Sequence, residues 1–291
     1  MGPTASGKTP VAIELAQHLG AEIISIDSMQ VYRGMDIGTA KPGLLERRDI
    51  THHMIDVVDP GQEFTVSEFR AMARSVLGER SEHPTVIVGG SGLHFRAIVD
   101  PMSFAPTDPV VRADLDEMDL TELVETLTRI DPAAGDHVAL QNKRRVVRAL
   151  EIHQLNGQTP SQRAATEEAA MIRRYESELE FNAIGIDAGE RTGGRIETRL
   201  ESMREGGLVD EVKGLRTAMG RTARAAVGYR EILDFLDGRC SLNEAFTRIG
   251  RNTLKLARRQ RTWFQRDPRV QWIPWSERPT DMAKQAIEVL M

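Results

Sequence analysis

Hydrophobic positions along this chain alternate between a helical and a strand-like period, and the alternation predicts an α/β fold. Val11, Leu15 and Leu19 fall on one helical face. Residues 21–27, Ala-Glu-Ile-Ile-Ser-Ile-Asp, form a short β-branched run bounded by Gly20. Such a run is the mark of a parallel strand buried on both faces, and it places Asp27 at a carboxyl edge, where ligands bind in open α/β sheets. Thr65-Val66-Ser67-Glu68 has capping-box spacing ahead of Phe69, Met72, Val76 and Leu77, and so opens a helix. Pro84-Thr85-Val86-Ile87-Val88-Gly89-Gly90-Ser91-Gly92 reads as a second buried strand running into a glycine turn. Asp36 to Pro42 and His52 to Asp56 read as loop with brief order.

Pro101, Pro106 and Pro109 mark a boundary, beyond which the pattern is helical to about residue 180 with no convincing strand. Residues 181–187, Phe-Asn-Ala-Ile-Gly-Ile-Asp, return to strand character; helices cover roughly 195–266, and Val270 to Ile273 adds an edge strand. The expected architecture is a parallel sheet flanked by helices, with residues 1–100 and 181–291 forming the core and 101–180 an all-helical insertion.

The first residues bring in chemistry. Gly2-Pro3-Thr4-Ala5-Ser6-Gly7-Lys8-Thr9 fits the pattern Gly, four residues, Gly-Lys, then Ser or Thr. In such a loop consecutive backbone N–H groups turn onto phosphate oxygens, Lys8 adds a point charge and Thr9 a magnesium-ligand hydroxyl. The helix that follows at once is what a phosphate loop needs and what a chance glycine-rich tail does not explain. A formal match to an N-myristoylation pattern is the same loop seen through another motif. Phosphate loops ordinarily follow a central strand, yet Met1 directly precedes Gly2. Losing that strand would expose unpaired backbone on both neighbours, so the expectation is a true start lying upstream.

Composition narrows the class. The chain has 291 residues, 40% of them hydrophobic, with no run of 18 apolar residues and no signal segment, so the expectation is a cytoplasmic protein without membrane contact. Cys240 stands alone, which excludes an internal disulfide. Net charge is −5, but the charges segregate. Lys143, Arg144, Arg145, Arg148, Arg163, Arg173 and Arg174 face only Glu151, Glu167 and Glu168 in their stretch. Arg251, Lys255, Arg258 and Arg259 share one helical face with no acid between residues 251 and 266. A basic stripe is ordinarily a solvated face; two of them beside a phosphate loop open the reading of an RNA partner despite the negative total. His52 and His53 lack a third ligand at metal spacing, and Trp263 and Phe264 read as packing the last core helix.

A Walker-type loop suggests a magnesium-dependent NTPase or kinase, but Val86-Ile87-Val88 runs into glycines where an acidic residue would hold the ion. The nearest carboxylate is Asp27, open to three readings: metal partner, general base or structural aspartate. Here the motifs resemble, in order, those of the tRNA dimethylallyltransferases. They are residues 2–9, Ser25-Ile26-Asp27-Ser28-Met29-Gln30-Val31-Tyr32, Asp36 to Pro42, His52 to Asp56 and Val88 to Ser91. Lys143 to Glu151, Ala226-Val227-Gly228-Tyr229-Arg230-Glu231 and Arg259-Gln260-Arg261-Thr262-Trp263-Phe264 follow. The resemblance covers essentially the whole chain.

It implies a P-loop NTPase-like fold and a prenyl transfer, in which the exocyclic amine of the adenosine 3′-adjacent to the anticodon attacks dimethylallyl diphosphate. It also implies that Gly2, Pro3, Thr4, Ala5, Ser6, Gly7, Lys8 and Thr9 hold the diphosphate with Mg2+ on Thr9. Asp27, Ser91 and Lys8 are implied as catalytic, with Asp27 taking the amine proton. Asp27, Ser28, Met29, Gln30 and Ser91 would line the entry of the base, and Arg112, Arg144, Arg145, Val146, Val147 and Arg148 would hold the tRNA anticodon stem-loop on a monomer. Ser91 replaces a family threonine, His94 a tyrosine, and Leu254-Lys255-Leu256 a stretch richer in arginine and tyrosine. The competing readings are a kinase or prenyltransferase acting on free adenine nucleotide, and an RNA-binding module with a regulatory nucleotide.

Overall fold

In the computed structural model, which describes residues 1–79 and 83–290, α1 (Lys8–Leu19) turns Val11, Ala12, Leu15 and Ala16 inward. Gly20 ends it in the left-handed conformation, its N–H donating to the Ala16 carbonyl. β1 (Glu22–Ser25) follows, with Ile23, Ile24 and Ile26 fully buried. After α2 (Leu44–Arg47), β2 (His52–His53) pairs parallel to β1, Ile23 opposite His52. That two-residue strand lies where the sequence reads as loop: two histidines carry no apolar period, and the neighbour's register makes the pairing. α3 (Val66–Glu79) opens as expected, with Thr65 N–H donating to Glu68 Oε2 at 2.7 Å and Glu68 N–H to Thr65 Oγ1 at 3.2 Å. β3 (Thr85–Val88) pairs parallel on the other side of β1, giving the order β2-β1-β3, and α4 (Gly92–Val99) leads away from it.

The chain divides into two compact units, Met1–Ile98 with Glu180–Met291, and Val99–Leu179. The second contains α5 (Pro109–Glu117), α6 (Leu120–Ile130), α7 (Lys143–Asn156), α8 (Pro160–Ala164) and α9 (Glu167–Arg173), and no strand among the described residues. Its own core gathers Leu115, Leu123, Leu127, Val146, Val147 and Leu150. Val146 and Val147, expected among the RNA contacts, are 0% and 2% exposed and offer no side chain to a ligand. Helical periodicity is the reason: 146, 147 and 150 point inward, whereas Arg144 and Arg145 are exposed and have no ion pair among the described residues.

Arg112 and Arg148 are tied to Glu151, which is 0% exposed. Its Oε2 accepts from Arg112 Nη2 at 2.6 Å and Arg148 Nη1 at 2.7 Å, and its Oε1 accepts Asp108 N–H at 3.0 Å. Burial pushes the Glu151 carboxyl up, and the bonds from Arg148, Arg112 and Asp108 outweigh it and hold it below the ordinary range. Glu151→Ala is therefore expected to cost about 3 kcal/mol in urea unfolding, the low end for a broken buried pair because both arginines reach water. A loss under about 1 kcal/mol would show the cluster to be dispensable.

The first unit continues with β4 (Ala183–Gly185), α10 (Thr192–Glu205), α11 (Leu208–Leu215), α12 (Arg221–Arg224), α13 (Tyr229–Leu236), α14 (Leu242–Gln265), β5 (Val270–Trp272) and α15 (Pro279–Leu290). β4 and β5 pair in parallel as a second sheet, so the expected single sheet is seen in two parts. Met1 lies along β4: its amine donates to the Ile184 carbonyl at 2.6 Å, and Ile186 N–H donates to the Met1 carbonyl at 2.9 Å. One apolar cluster bridges both sheets, with Val11 and Leu15 of α1, Ile186, Ile273 and Met282 buried and Val86 and Ile184 packed against them. No helix among the described residues is long and apolar enough to cross a membrane.

Candidate active site

The glycine-rich segment forms a turn that ends on the first residue of α1. Gly7 caps the helix at φ 91°, and Ala5 is also left-handed at φ 62°. Gly2 sits so close to β4 that a Cβ would meet the Ile186 carbonyl oxygen at 2.1 Å. Four side chains from the second half of the unit hold the turn. Gln260 Oε1 accepts Thr4 N–H at 2.8 Å, Arg199 Nη1 donates to Thr4 Oγ1 at 2.9 Å, Arg195 Nε donates to the Ala5 carbonyl at 2.6 Å, and Trp275 Nε1 donates to the Ser6 carbonyl at 2.9 Å. The Arg195 guanidinium also lies 5.3 Å over the Trp275 ring.

A cavity of about 690 Å³ opens above this turn. Thr4, Ala5, Gly7, Lys8 and Thr9 line it, and Gly2, Pro3 and Ser6, also expected among the phosphate contacts, are buried where they root the loop. Pro3 does so through its carbonyl, which accepts Lys8 Nζ at 2.5 Å. Burial pulls the Lys8 ammonium down to about 7, assisted by Arg199 and opposed by Asp27 and Asp187.

Asp27 faces the same cavity from the end of β1. Its Oδ1 accepts the N–H of Met29 at 2.9 Å and of Gln30 at 3.4 Å, an Asx turn that aims the carboxylate. Oδ2 has no hydrogen-bond partner among the described residues, which leaves it available as a proton acceptor. Gln30 lines the cavity too; Ser28 and Met29 do not. After β3 a side chain is excluded by backbone at Gly89, whereas at Gly90 it would meet only the end of the Gln260 side chain. A Cβ on Gly89 would meet the Ile26 carbonyl oxygen at 2.6 Å, and one on Gly90 would meet Gln260 Nε2 at 2.4 Å.

Ser91 is outside the cavity wall, and its hydroxyl is 2.7 Å from His94 Nδ1. Burial pulls His94 down to about 4 against the opposing charge of Asp27, so this ring is neutral near pH 7. His52 reaches the cavity with Nδ1 2.8 Å from the Ile50 carbonyl, and His53 Nε2 bonds Glu22 at 2.7 Å. Among the described residues no three His, Cys, Asp or Glu side chains are grouped to hold a metal.

Sequence reasoning missed Arg195 and Arg199 of α10 as cavity residues. Arg199 places a guanidinium in the wall, bonded to Thr4 and, through Nη2 at 3.3 Å, to the Thr39 carbonyl, while its buried Nε has no partner among the described residues. Their i, i+4 spacing was visible, but nothing local connects it to a loop some 190 residues earlier. Gln260 belongs to α14, and on the same helix Arg251, Lys255, Arg258 and Arg259 are exposed without ion pairs among the described residues. Phe264 is buried as expected, whereas Trp263 is 42% exposed and lies against Gly92, where a Cβ would meet its indole nitrogen at 1.8 Å.

Known proteins share this arrangement of elements. A tRNA dimethylallyltransferase of Bifidobacterium animalis subsp. lactis is 40% identical over 286 residues, covering 94% of this chain and 80% of that protein. The crystal structure of a tRNA isopentenylpyrophosphate transferase from Bacillus halodurans is 34% identical, with TM-score 0.70 over 99% of this chain and 94% of that one. A tRNA isopentenylpyrophosphate transferase from Staphylococcus epidermidis is 30% identical, with TM-score 0.72 over 100% and 96%. The fold is accordingly that of the P-loop NTPase-like tRNA isopentenyltransferases. The model of the family described as IPP transferase matches residues 30–267, and the chain belongs to that family.

Proposed function

We propose that this protein, as a cytoplasmic monomer, transfers the dimethylallyl group of dimethylallyl diphosphate to a tRNA, onto the exocyclic amine of the adenosine 3′-adjacent to the anticodon. The observation that carries the reading is Asp27, whose Oδ2, without a hydrogen-bond partner among the described residues, shares one cavity with Lys8, Thr9 and Arg199. In the transfer the amine nitrogen forms a bond to the first prenyl carbon, the carbon–oxygen bond breaks, and its electron pair leaves on diphosphate. Asp27 Oδ2 takes the proton that the nitrogen sheds as it becomes cationic. In this reading loop N–H groups, Lys8 and Arg199 stabilise the negative charge that grows on the leaving group. A neutral adenine amine is a weak nucleophile, so holding it against the prenyl carbon supplies much of the rate.

Mg2+ fits the donor set. The Thr9 hydroxyl, diphosphate oxygens and water are hard oxygen ligands, and magnesium is usually bound through substrate phosphates rather than by an all-protein cage. When bound it neutralises charge on the diphosphate. For the RNA, Arg144, Arg145 and the stripe Arg251, Lys255, Arg258 and Arg259 supply exposed cations, without ion pairs among the described residues, for phosphates. The adenosine comes from an anticodon loop, where splaying a base out costs little.

The test incubates the protein with Mg2+, dimethylallyl diphosphate and unmodified tRNA and weighs the nuclease digest for a five-carbon addition on one adenosine. Addition on free adenine nucleotide without tRNA, or none on tRNA, would overturn the reading.

A further inference from the structure

Glu211 stands outside the cavity and receives four donors. Its Oε2 accepts the N–H of Asp36 at 2.9 Å and of Ile37 at 2.7 Å, and its Oε1 accepts Gly38 N–H at 3.2 Å and the Tyr229 hydroxyl at 2.5 Å. Tyr229 is 0% exposed, and its ring covers Gly38 so closely that a Cβ there would meet ring carbon Cε2 at 2.4 Å. Burial and then Glu211 push the phenol up, so it remains a donor. Lys41 closes the loop on itself, its Nζ 2.5 Å from both Asp36 Oδ1 and Asp56 Oδ1 and 2.8 Å from the Tyr32 carbonyl. A carboxylate gathering successive N–H groups fixes a loop's path as an anion fixes a nest.

The far side of that loop is cavity wall. Thr39 and Ala40 line it, and their carbonyls accept Gln30 Nε2 at 3.2 and 3.4 Å, while the Thr39 carbonyl also accepts Arg199 Nη2 at 3.3 Å. Gln30 closes the Asx turn that aims Asp27, and Arg199 holds the phosphate turn at Thr4. A single loop therefore holds the side chain of Gln30, whose backbone N–H bonds Asp27, and that of Arg199, which bonds Thr4 of the glycine-rich turn.

We propose that Glu211, locked by the Tyr229 hydroxyl, is a positioning residue for the transfer step: it holds residues 36–38 so that the next two carbonyls orient Gln30 and Arg199 together. The inference rests on the reading of the cavity as the transfer site. Neither Glu211 nor Tyr229 lines the cavity, so both act through the loop.

Tyr229→Phe, which keeps the ring on Gly38 and removes only the hydroxyl, and Glu211→Gln test it in the full chain. The expected result is a fall in kcat for tRNA prenylation of about tenfold or more, as for lost outer-shell support elsewhere. Inorganic diphosphate should bind several-fold more weakly, the amides of Ile37 and Gly38 should exchange faster with deuterium, and Glu211→Asp should recover part of each. Folded variants with kcat and diphosphate affinity within about twofold of the parent would overturn the proposal, as would unchanged exchange at residues 37–38. If Glu211→Gln does not fold, Tyr229→Phe decides alone. A parent chain that prenylates no tRNA would refute the reading of the cavity, and diphosphate affinity with loop exchange would still decide the role of Glu211.

Discussion

Replacing Asp27 with asparagine is expected to lower prenyl transfer by about 10²–10⁴ at saturating substrates while tRNA binding stays at its parent level. The substitution is nearly isosteric. Its amide oxygen still accepts the Met29 and Gln30 N–H groups, so the turn and the placement of Gln30 survive. What disappears is the second oxygen, replaced by an NH₂ that donates and accepts nothing. The amine then becomes cationic with no base beside it, and the barrier rises at the bond-forming step rather than at binding. Single-turnover rates with pre-bound tRNA isolate that step. Transfer at the parent rate would remove Asp27 from the chemistry and return it to the role of a turn-forming residue. A binding module, by contrast, would show no turnover in either form.

The glycine-rich turn ahead of α1 and β1 were legible because each rests on local rules. A glycine-lysine spacing announces the first, and a β-branched run ending in Asp27 announces the second. The side chains that hold the turn were not. Arg195, Arg199, Gln260 and Trp275 reach the turn from 190 to 269 residues away, and none sits in a pattern that differs from an ordinary amphipathic helix or edge segment. Ser91 shows a different limit: its position beside Ile26 follows from the strand register, but the partner of its hydroxyl, His94, depends on one rotamer. Val146 and Val147 show a third. A motif read as a block of residues merges two faces of a helix that its 3.6-residue period separates.

Lys8→Met is expected to lower kcat/KM for the prenyl donor by about 10²–10³, the cost of losing one preorganised charge at the leaving group. The same change should make the unliganded protein more stable in mildly acid solution. In the folded chain burial, with Arg199, holds the Lys8 ammonium down to about 7, against 10.5 for the unperturbed side chain. A base whose folded pKa is depressed costs stability wherever the unfolded chain is protonated and the folded site resists it. That cost is fully present below about pH 7, shrinks as pH rises through the interval, and is gone above about 10.5. Methionine keeps the apolar stem without the charge. The variant should therefore gain on the order of a few kcal/mol in urea unfolding at pH 6, with the gain closing as pH approaches 10. Diphosphate binding should reverse the sign in the parent protein: the anion restores the proton on Lys8, so calorimetry at pH 8 in buffers of different ionisation enthalpy should register proton uptake, absent in the variant. Equal stabilities at pH 6, together with no buffer dependence, would place Lys8 in water and outside the phosphate site. A gain in stability paired with a loss of transfer would instead mark Lys8 as a group kept under desolvation for its charge on the leaving diphosphate.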